Sequence, residues 1–215
     1  MVFPSARHLH VDPFAGISGD MWLALLIDLG LAPAVLERLP ERLGLSGVTV
    51  RVARTTHGAI DAARVAVDVD RSGHSRTLEQ MLEVVARGDL PPRAAGRSRD
   101  AIERLFAAEA KVHGRPVESV HLHEAGGDDA LIDIAGACLG LDEFGVETVS
   151  CAVPIPLGGG TVTSAHGRLP VPAPATAELL IGVPIVGGPV ARELVTPTGA
   201  AILRAVSRRS RRLPR

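Results

Sequence analysis

Tyrosine is absent from the 215 residues, and with one Trp and four Phe the aromatic share is only 2%. Few ring faces are left to stack on bases, which argues against single-stranded nucleic acid as the natural ligand. Cysteine is nearly absent as well. Cys138 and Cys151 do not form a CxxC pair and are too few for a disulfide scaffold. Cys138 falls on the apolar stripe of a predicted helix, where it reads as a small buried hydrophobe. No apolar run approaches the roughly 18–20 residues that cross a bilayer. The N-terminus also lacks a basic segment followed by an apolar signal core. A reduced, cytoplasmic protein with no membrane association is the expectation.

What is present is aliphatic. Hydrophobic residues make up 46% of the chain, enough to bury a sizeable core of Ala, Val, Leu and Ile in one or two domains. The net charge of -1 conceals an uneven distribution. Six of the 23 basic residues are Arg204, Arg208, Arg209, Arg211, Arg212 and Arg215, in a stretch without acids. Removing them leaves 17 basic against 24 acidic residues, a body of charge -7. Such a body suits a cation-binding protein better than one that embraces a phosphate backbone. Residues 206–215 read as an unfolded Arg-rich tail.

Periodicity outlines the elements. RHLHVD at 7–12 reads as a strand, followed by the loop PFAGISGD and a helix from Asp20 with Trp22, Leu25, Leu26 and Leu29 at helical spacing. A helix over 33–43 is interrupted by Pro40. Val48, Val50 and Val52, then Val65, Val67 and Val69, alternate with polar or small residues and predict an antiparallel hairpin turning at His57-Gly58. Helices are predicted over 77–87 and 93–113, the first opened by a capping box at Thr77. SVHLH at 119–123 reads as a strand, 128–144 as a helix and 146–153 as a strand. Short helices near 174–181 and 198–206 follow a Pro- and Gly-rich stretch. The fold class is therefore α/β, a mixed sheet with helices packed on it and one antiparallel β-hairpin. HLHVD at 8–12 and HLHEA at 121–125 echo one another. If both strands shared a sheet, their carboxyl ends would face one crevice.

The sharpest chemical feature is His121-Leu122-His123-Glu124. On a strand, residues two apart point to one face, about 6.5–7 Å apart. His121 and His123 could then converge on a metal, with Glu124 adding a carboxylate. Asp129 and Asp133 lie four apart on the following helix and share a face. Imidazole nitrogen with carboxylate oxygen suits divalent Ni, Zn or Fe. The alternative makes the histidines exposed strand residues and the aspartates first-turn acids facing the helix dipole. Asp12 and Asp20 flank the GISG loop, either as ligand contacts in the same crevice or as a turn former and a helix-capping acid. His10, two before Asp12, could join it on one face. PLGGGT at 156–161 could cradle an anion with its amides but matches neither Walker nor GxGxxG patterns, and a plain glycine-rich loop is the simpler reading. His166 and Arg168 offer a titratable group beside a cation.

Four stretches together resemble the LarC family of nickel-insertion proteins: VDPFAGISGDMWLALLIDLG at 11–30, HLHEAGGDDALIDIAG at 121–136, AHGRLPVPAPATAELLIGVPI at 165–185 and ELVTPTGAAIL at 193–203. The likeness covers residues 1–205. It implies a CTP-dependent enzyme of the lyase class, a cyclometallase, that places nickel into pyridinium-3,5-bisthiocarboxylic acid mononucleotide. The product is the nickel-pincer cofactor of lactate racemase and related enzymes. Placed on that chemistry as hypotheses, His121, His123, Glu124 and Asp133 are expected metal contacts, and Glu124 and Asp129 are expected to act in proton transfer. Asp12, Asp20, His166 and Arg168 hold the nucleotide. CTP and its divalent cation are expected on the family's C-terminal region, absent here: either that half is a separate C-terminal polypeptide that acts as partner, or the gene is truncated and the tail is an out-of-frame remnant. A homo-oligomer is compatible with the sequence. The family usually has a small apolar residue where Asp128 stands. Competing readings are a metal-dependent hydrolase using His121, His123 and Asp129 to activate water, and a non-catalytic nickel chaperone.

Overall fold

The computed structural model describes residues 7–70, 75–122, 127–164 and 167–210. In chain order the elements are β1 (Arg7–Val11), α1 (Gly19–Asp28), α2 (Pro33–Glu37), α3 (Leu39–Arg42), β2 (Val48–His57), β3 (Ile60–Val69), α4 (Leu78–Arg87), α5 (Pro92–His113), a 3-10 turn (Val117–Ser119) and α6 (Asp128–Glu143). There follow β4 (Val146–Cys151), β5 (Ile155–Pro156), β6 (Thr161–Ser164), β7 (Gly167–Pro170), α7 (Pro174–Leu179), β8 (Ile185–Val186), α8 (Pro197–Val206) and β9 (Ser207–Ser210).

β1, β4 and β9 form a parallel sheet in the order β1-β4-β9. β2 and β3 form the long antiparallel hairpin, with Val50 opposite Val67 and Val52 opposite Val65. The fold is mixed α/β, as the alternation of strand and helix patterns predicts. A second hairpin, β6–β7, was hidden by the Pro- and Gly-rich composition of its surroundings. The predicted helix at 33–43 is divided into α2 and α3.

The helices begin and end for local reasons. Thr77 accepts from the Gln80 amide while the Gln80 side chain accepts from the Thr77 amide, so α4 opens on a complete capping box. α5 stops at Gly114, whose φ of 61° places it in the left-handed region. From Ala130 to Leu141 every residue of α6 except Asp133 is buried. A helix apolar nearly all round belongs inside, and α6 packs against α1, α5 and α8.

Two expectations change. Residues 119–122 do not form a sheet strand: a 3-10 turn covers Val117–Ser119, and 120–122 continue without strand pairing, while the last residue of the expected strand lies outside the described residues. Val120 and Leu122 are buried while His121 is exposed, so the alternation read from sequence is real, but anchoring in the core replaces sheet pairing. β1 is paired by β4, residues 121–122 of the echoed segment are in no strand, and 123–125 lie outside the described residues. The unfolded tail expected from 206 onward is also shortened, because Ser207–Ser210 pair with β4 as β9. Residues 211–215 lie outside the described residues.

The loop before α1 is clamped by backbone contacts. The Ile17 amide donates to the Leu194 carbonyl at 2.8 Å, and the Thr196 amide donates to the Ile17 carbonyl at 3.2 Å. A Cβ on Gly199 would stand 2.4 Å from the Ile17 oxygen, and one on Gly16 (φ 93°) 2.0 Å from the Leu194 oxygen. Trp22, fully buried, donates its indole N–H to the Gly199 carbonyl at 3.3 Å. Gly136 and Gly140 on α6 let α1 approach: a Cβ at either would fall 2.8 Å from Leu23 or Leu26.

Gly199→Ala is therefore expected to destabilise the fold by about 1–3 kcal/mol through overpacking. Gly96→Ala, on an exposed turn of α5 with open space around it, is expected to stabilise by about 0.5–1 kcal/mol through helix propensity. Thermal unfolding of the two variants checks the contrast. A neutral Gly199→Ala would show that the loop yields.

Candidate functional site

The clamped loop delivers the amino terminus of α1 to the amino terminus of α6. Ser18 precedes α1, and its hydroxyl donates to the Asp20 carboxylate. Asp20 also accepts from the Met21 amide at 3.0 Å. It is thus an exposed first-turn acid, held by its own helix end. Asp129 is exposed in the first turn of α6, and Asp133 lies one turn further along.

Asp133 differs from both. One carboxyl oxygen, Oδ1, is buried without a hydrogen-bond partner among the described residues. The other lies against Gly19, so tightly that a Cβ there would stand 2.0 Å from it. Burial pushes the Asp133 carboxyl up to about 8, and the nearby charges of Asp20 and Asp129 push the same way. Only a glycine at 19 leaves room for this carboxyl, and only a proton or a cation offsets the cost of burying it. Asp20, Asp129 and Asp133 are thus coupled electrostatically. Among the described residues, however, no three His, Cys, Asp or Glu side chains stand close enough to share one ion.

The other predicted residues divide. His123, Glu124 and His166 lie outside the described residues. His121 lines a hollow of about 50 Å³ with His113, Arg115, Ser119 and Val120. Asp12 is exposed at the carboxyl end of β1, beside the next strand's Cys151. Burial, and then the Asp12 charge, push the Cys151 thiol up to about 11, so it remains protonated and unreactive at neutral pH. Cys138 is fully buried, as the apolar stripe predicts, and its thiol is pushed up to about 12 mainly by burial.

Arg168 is exposed on β7 and donates to the Thr161 hydroxyl at 3.1 Å, across the hairpin. The PLGGGT segment is a packed crossing. The Gly159 amide donates to the Arg192 carbonyl, the Gly188 amide donates to the Gly158 carbonyl, and a Cβ on Gly158 would meet the Arg192 oxygen at 1.9 Å. These glycines serve chain against chain, which is the plain reading of the loop.

Two supporting residues escaped the sequence. Arg76 donates to Asp128 at 2.6 Å in a largely buried ion pair, and the Ser75 hydroxyl donates to the Leu122 carbonyl at 3.1 Å. The extra acid at 128 is therefore neutralised by its own cation. Both contacts bridge about 50 residues of sequence, and no local pattern announces them.

Comparison with known proteins adds a family. The family model described as "Nickel insertion protein" matches residues 9–215. A pyridinium-3,5-bisthiocarboxylic acid mononucleotide nickel insertion protein of Staphylococcus epidermidis RP62A is 40% identical over 200 residues, covering 93% of this chain and 50% of that relative. The protein of the same name in strain ATCC 12228 matches to the same extent. A relative in Syntrophotalea carbinolica, whose name also describes a nickel insertion protein, is 45% identical over 195 residues, covering 90% of this chain and 49% of its own length. The chain spans about half the length of these curated relatives. No solved structure matches it.

The buried carboxyl makes stability depend on pH. Asp133 binds its proton more tightly folded than unfolded, so its contribution is full in acid and is lost as pH rises from about 4 through about 8. Asp133→Asn is expected to unfold at the same temperature as wild type near pH 4 and at a higher one near pH 8. Scanning calorimetry across that range checks this. Parallel curves for the two proteins would show that the carboxyl is not held as described.

Proposed function

This chain belongs to the nickel insertion protein family, and from that premise we propose that it receives Ni(II) for insertion into a dithiocarboxylated pyridinium mononucleotide. The substrate is the one in the names of the Staphylococcus relatives. The observation that carries the proposal is the Asp133 carboxyl: buried, with Oδ1 unpartnered, and lying between two further acids where α1 and α6 begin.

In this reading Ni(II) is the cargo. It displaces the proton of Asp133 and gains a carboxylate oxygen, while His121, His123 and Glu124 complete its contacts from the segment leading into α6. Borderline imidazole and hard carboxylate donors hold nickel loosely enough to yield it to the sulfur atoms of the nucleotide. Glu124 and Asp129 act in proton transfer as nickel moves to the sulfur atoms. Asp12, Asp20, His166 and Arg168 contact the nucleotide. CTP and its divalent cation are assigned to a partner polypeptide corresponding to the other half of the relatives. Delivery of the finished cofactor to lactate racemase or a related enzyme follows from the same reading. Among the described residues no helix is long and apolar enough to cross a membrane.

Titration calorimetry with Ni(II), at about pH 7 in two buffers of different protonation enthalpy, tests the metal site. Wild type is expected to release a proton from Asp133 on binding, and Asp133→Asn to bind more weakly without that release. The His121→Ala/His123→Ala double variant is expected to lose most of its nickel. Full nickel retention in both variants would remove the site. Insertion itself is tested by mixing the chain with a C-terminal partner, CTP, Ni(II) and the dithiocarboxylated nucleotide. Product is expected only with all of them present.

A further inference from the structure

β1 and β4 carry a polar ladder on the face opposite their core-facing apolar residues. Leu9 and Val11, with Val149 and Cys151, pack into the core. Residues alternate along a strand, so His8, His10, Thr148 and Ser150 occupy the other face. Register brings them level: His8 pairs with Thr148, and His10 with Ser150.

The side chains make one continuous hydrogen-bonded chain. His8 Nδ1 lies 2.8 Å from Thr148 Oγ1, and His8 Nε2 lies 2.8 Å from Ser150 Oγ. His10 Nδ1 lies 2.7 Å from the same Ser150 Oγ. At one end His8 and Thr148 are exposed. At the other, His10 Nε2 is buried and has no hydrogen-bond partner among the described residues. Ser150, the link between the two rings, is itself buried. An unmatched imidazole nitrogen at the inner end of such a chain costs free energy unless something uses it.

We propose that His10, Ser150, His8 and Thr148 form a proton relay between His10 Nε2 and the surface. A neutral imidazole has one N–H and one lone pair, and a hydroxyl donates one hydrogen bond. In the first proton order, His10 Nδ1–H donates to Ser150, the Ser150 hydroxyl donates to His8 Nε2, and His8 Nδ1–H donates to Thr148. His10 Nε2 is then a bare lone pair. When it takes a proton, each proton moves one place along. His10 Nδ1–H passes to Ser150 Oγ, the serine proton to His8 Nε2, and the His8 Nδ1 proton to Thr148 Oγ1, while the original Thr148 hydroxyl proton leaves to water. The second order is again neutral and fully hydrogen-bonded, with every dipole reversed.

His10 and Ser150 are each next to last in parallel strands, beside the carboxyl-end crevice where open α/β sheets take their ligands. This use of the relay rests on the function proposed above. The C–H bond of the pyridinium ring breaks, its electron pair enters the bond to nickel, and its proton goes to His10 Nε2. His10 is the acceptor; Ser150, His8 and Thr148 position and drain it.

The decisive observation is which nitrogen carries the proton on each ring. In protein labelled with ¹⁵N-histidine, with His8→Gln and His10→Gln identifying the signals, long-range ¹H–¹⁵N spectra at about pH 8 report neutral tautomers. The relay requires His8 and His10 to be the same tautomer, both Nδ1–H or both Nε2–H. Opposite tautomers, with both rings donating to Ser150, would break the chain and overturn the proposal.

Ser150→Ala removes the link at nearly constant volume. In the reconstituted insertion reaction it is expected to slow turnover by about 10²-fold and to reduce the solvent deuterium isotope effect, with nickel retention unchanged. Turnover at the wild-type rate would overturn the relay. If wild type also fails to insert nickel with every component present, the function proposed above fails, and the tautomers still decide the relay.

Discussion

The site depends on one close approach: the backbone of residues 16–19 pressed against residues 194–199 and against α6. Gly16 admits the Leu194 carbonyl, Gly199 admits the Ile17 carbonyl, and Gly19 admits the carboxyl of Asp133. A side chain at any of the three would push these segments apart. The spacing is fixed by hydrogen bonds in both directions between Ile17 and the 194–196 strip, so α1 can start in only one place. Asp20 and Asp133 inherit their separation from it.

That geometry gives the fold a cost and a use. A buried carboxyl beside two like charges is held in its protonated form, and the folded state is less stable in alkali than it would be with an amide there. Asp128, one turn before 132 on the same helix, shows the contrasting solution, since Arg76 neutralises it. Two acids on one helix thus meet opposite treatment: one is matched by a cation, the other holds a proton. Perturbed groups of the second kind gather at functional sites.

Much of the fold was legible because periodicity survives folding. The β2–β3 hairpin follows from alternating valines, α4 from its capping box, and α8 from the apolar run after Pro197. What stayed hidden depends on distant partners. SVHLH alternates like a strand, yet Val120 and Leu122 enter the core with no strand pairing among the described residues, and period-two burial cannot tell these cases apart. β9 carries an Arg-rich sequence typical of a solvated tail and is a strand only because β4 offers it an edge. At the site, the pairing of Asp129 and Asp133 on one face was readable from their spacing. The burial of Asp133 alone was not, because it is imposed by Gly19, more than 100 residues away. HLH at 8–10 was visible as a pattern, but its meaning lay in Thr148 and Ser150 opposite.

The scarcity of aromatic residues has a practical side. With no tyrosine in the chain and a single indole, all intrinsic ultraviolet emission above about 300 nm originates at Trp22. That ring is sealed at the α1–α8 junction, its N–H on the Gly199 carbonyl. The molecule therefore carries its own optical gauge at the seam that sets the acidic cluster, and its colour and lifetime report on that seam without any attached dye.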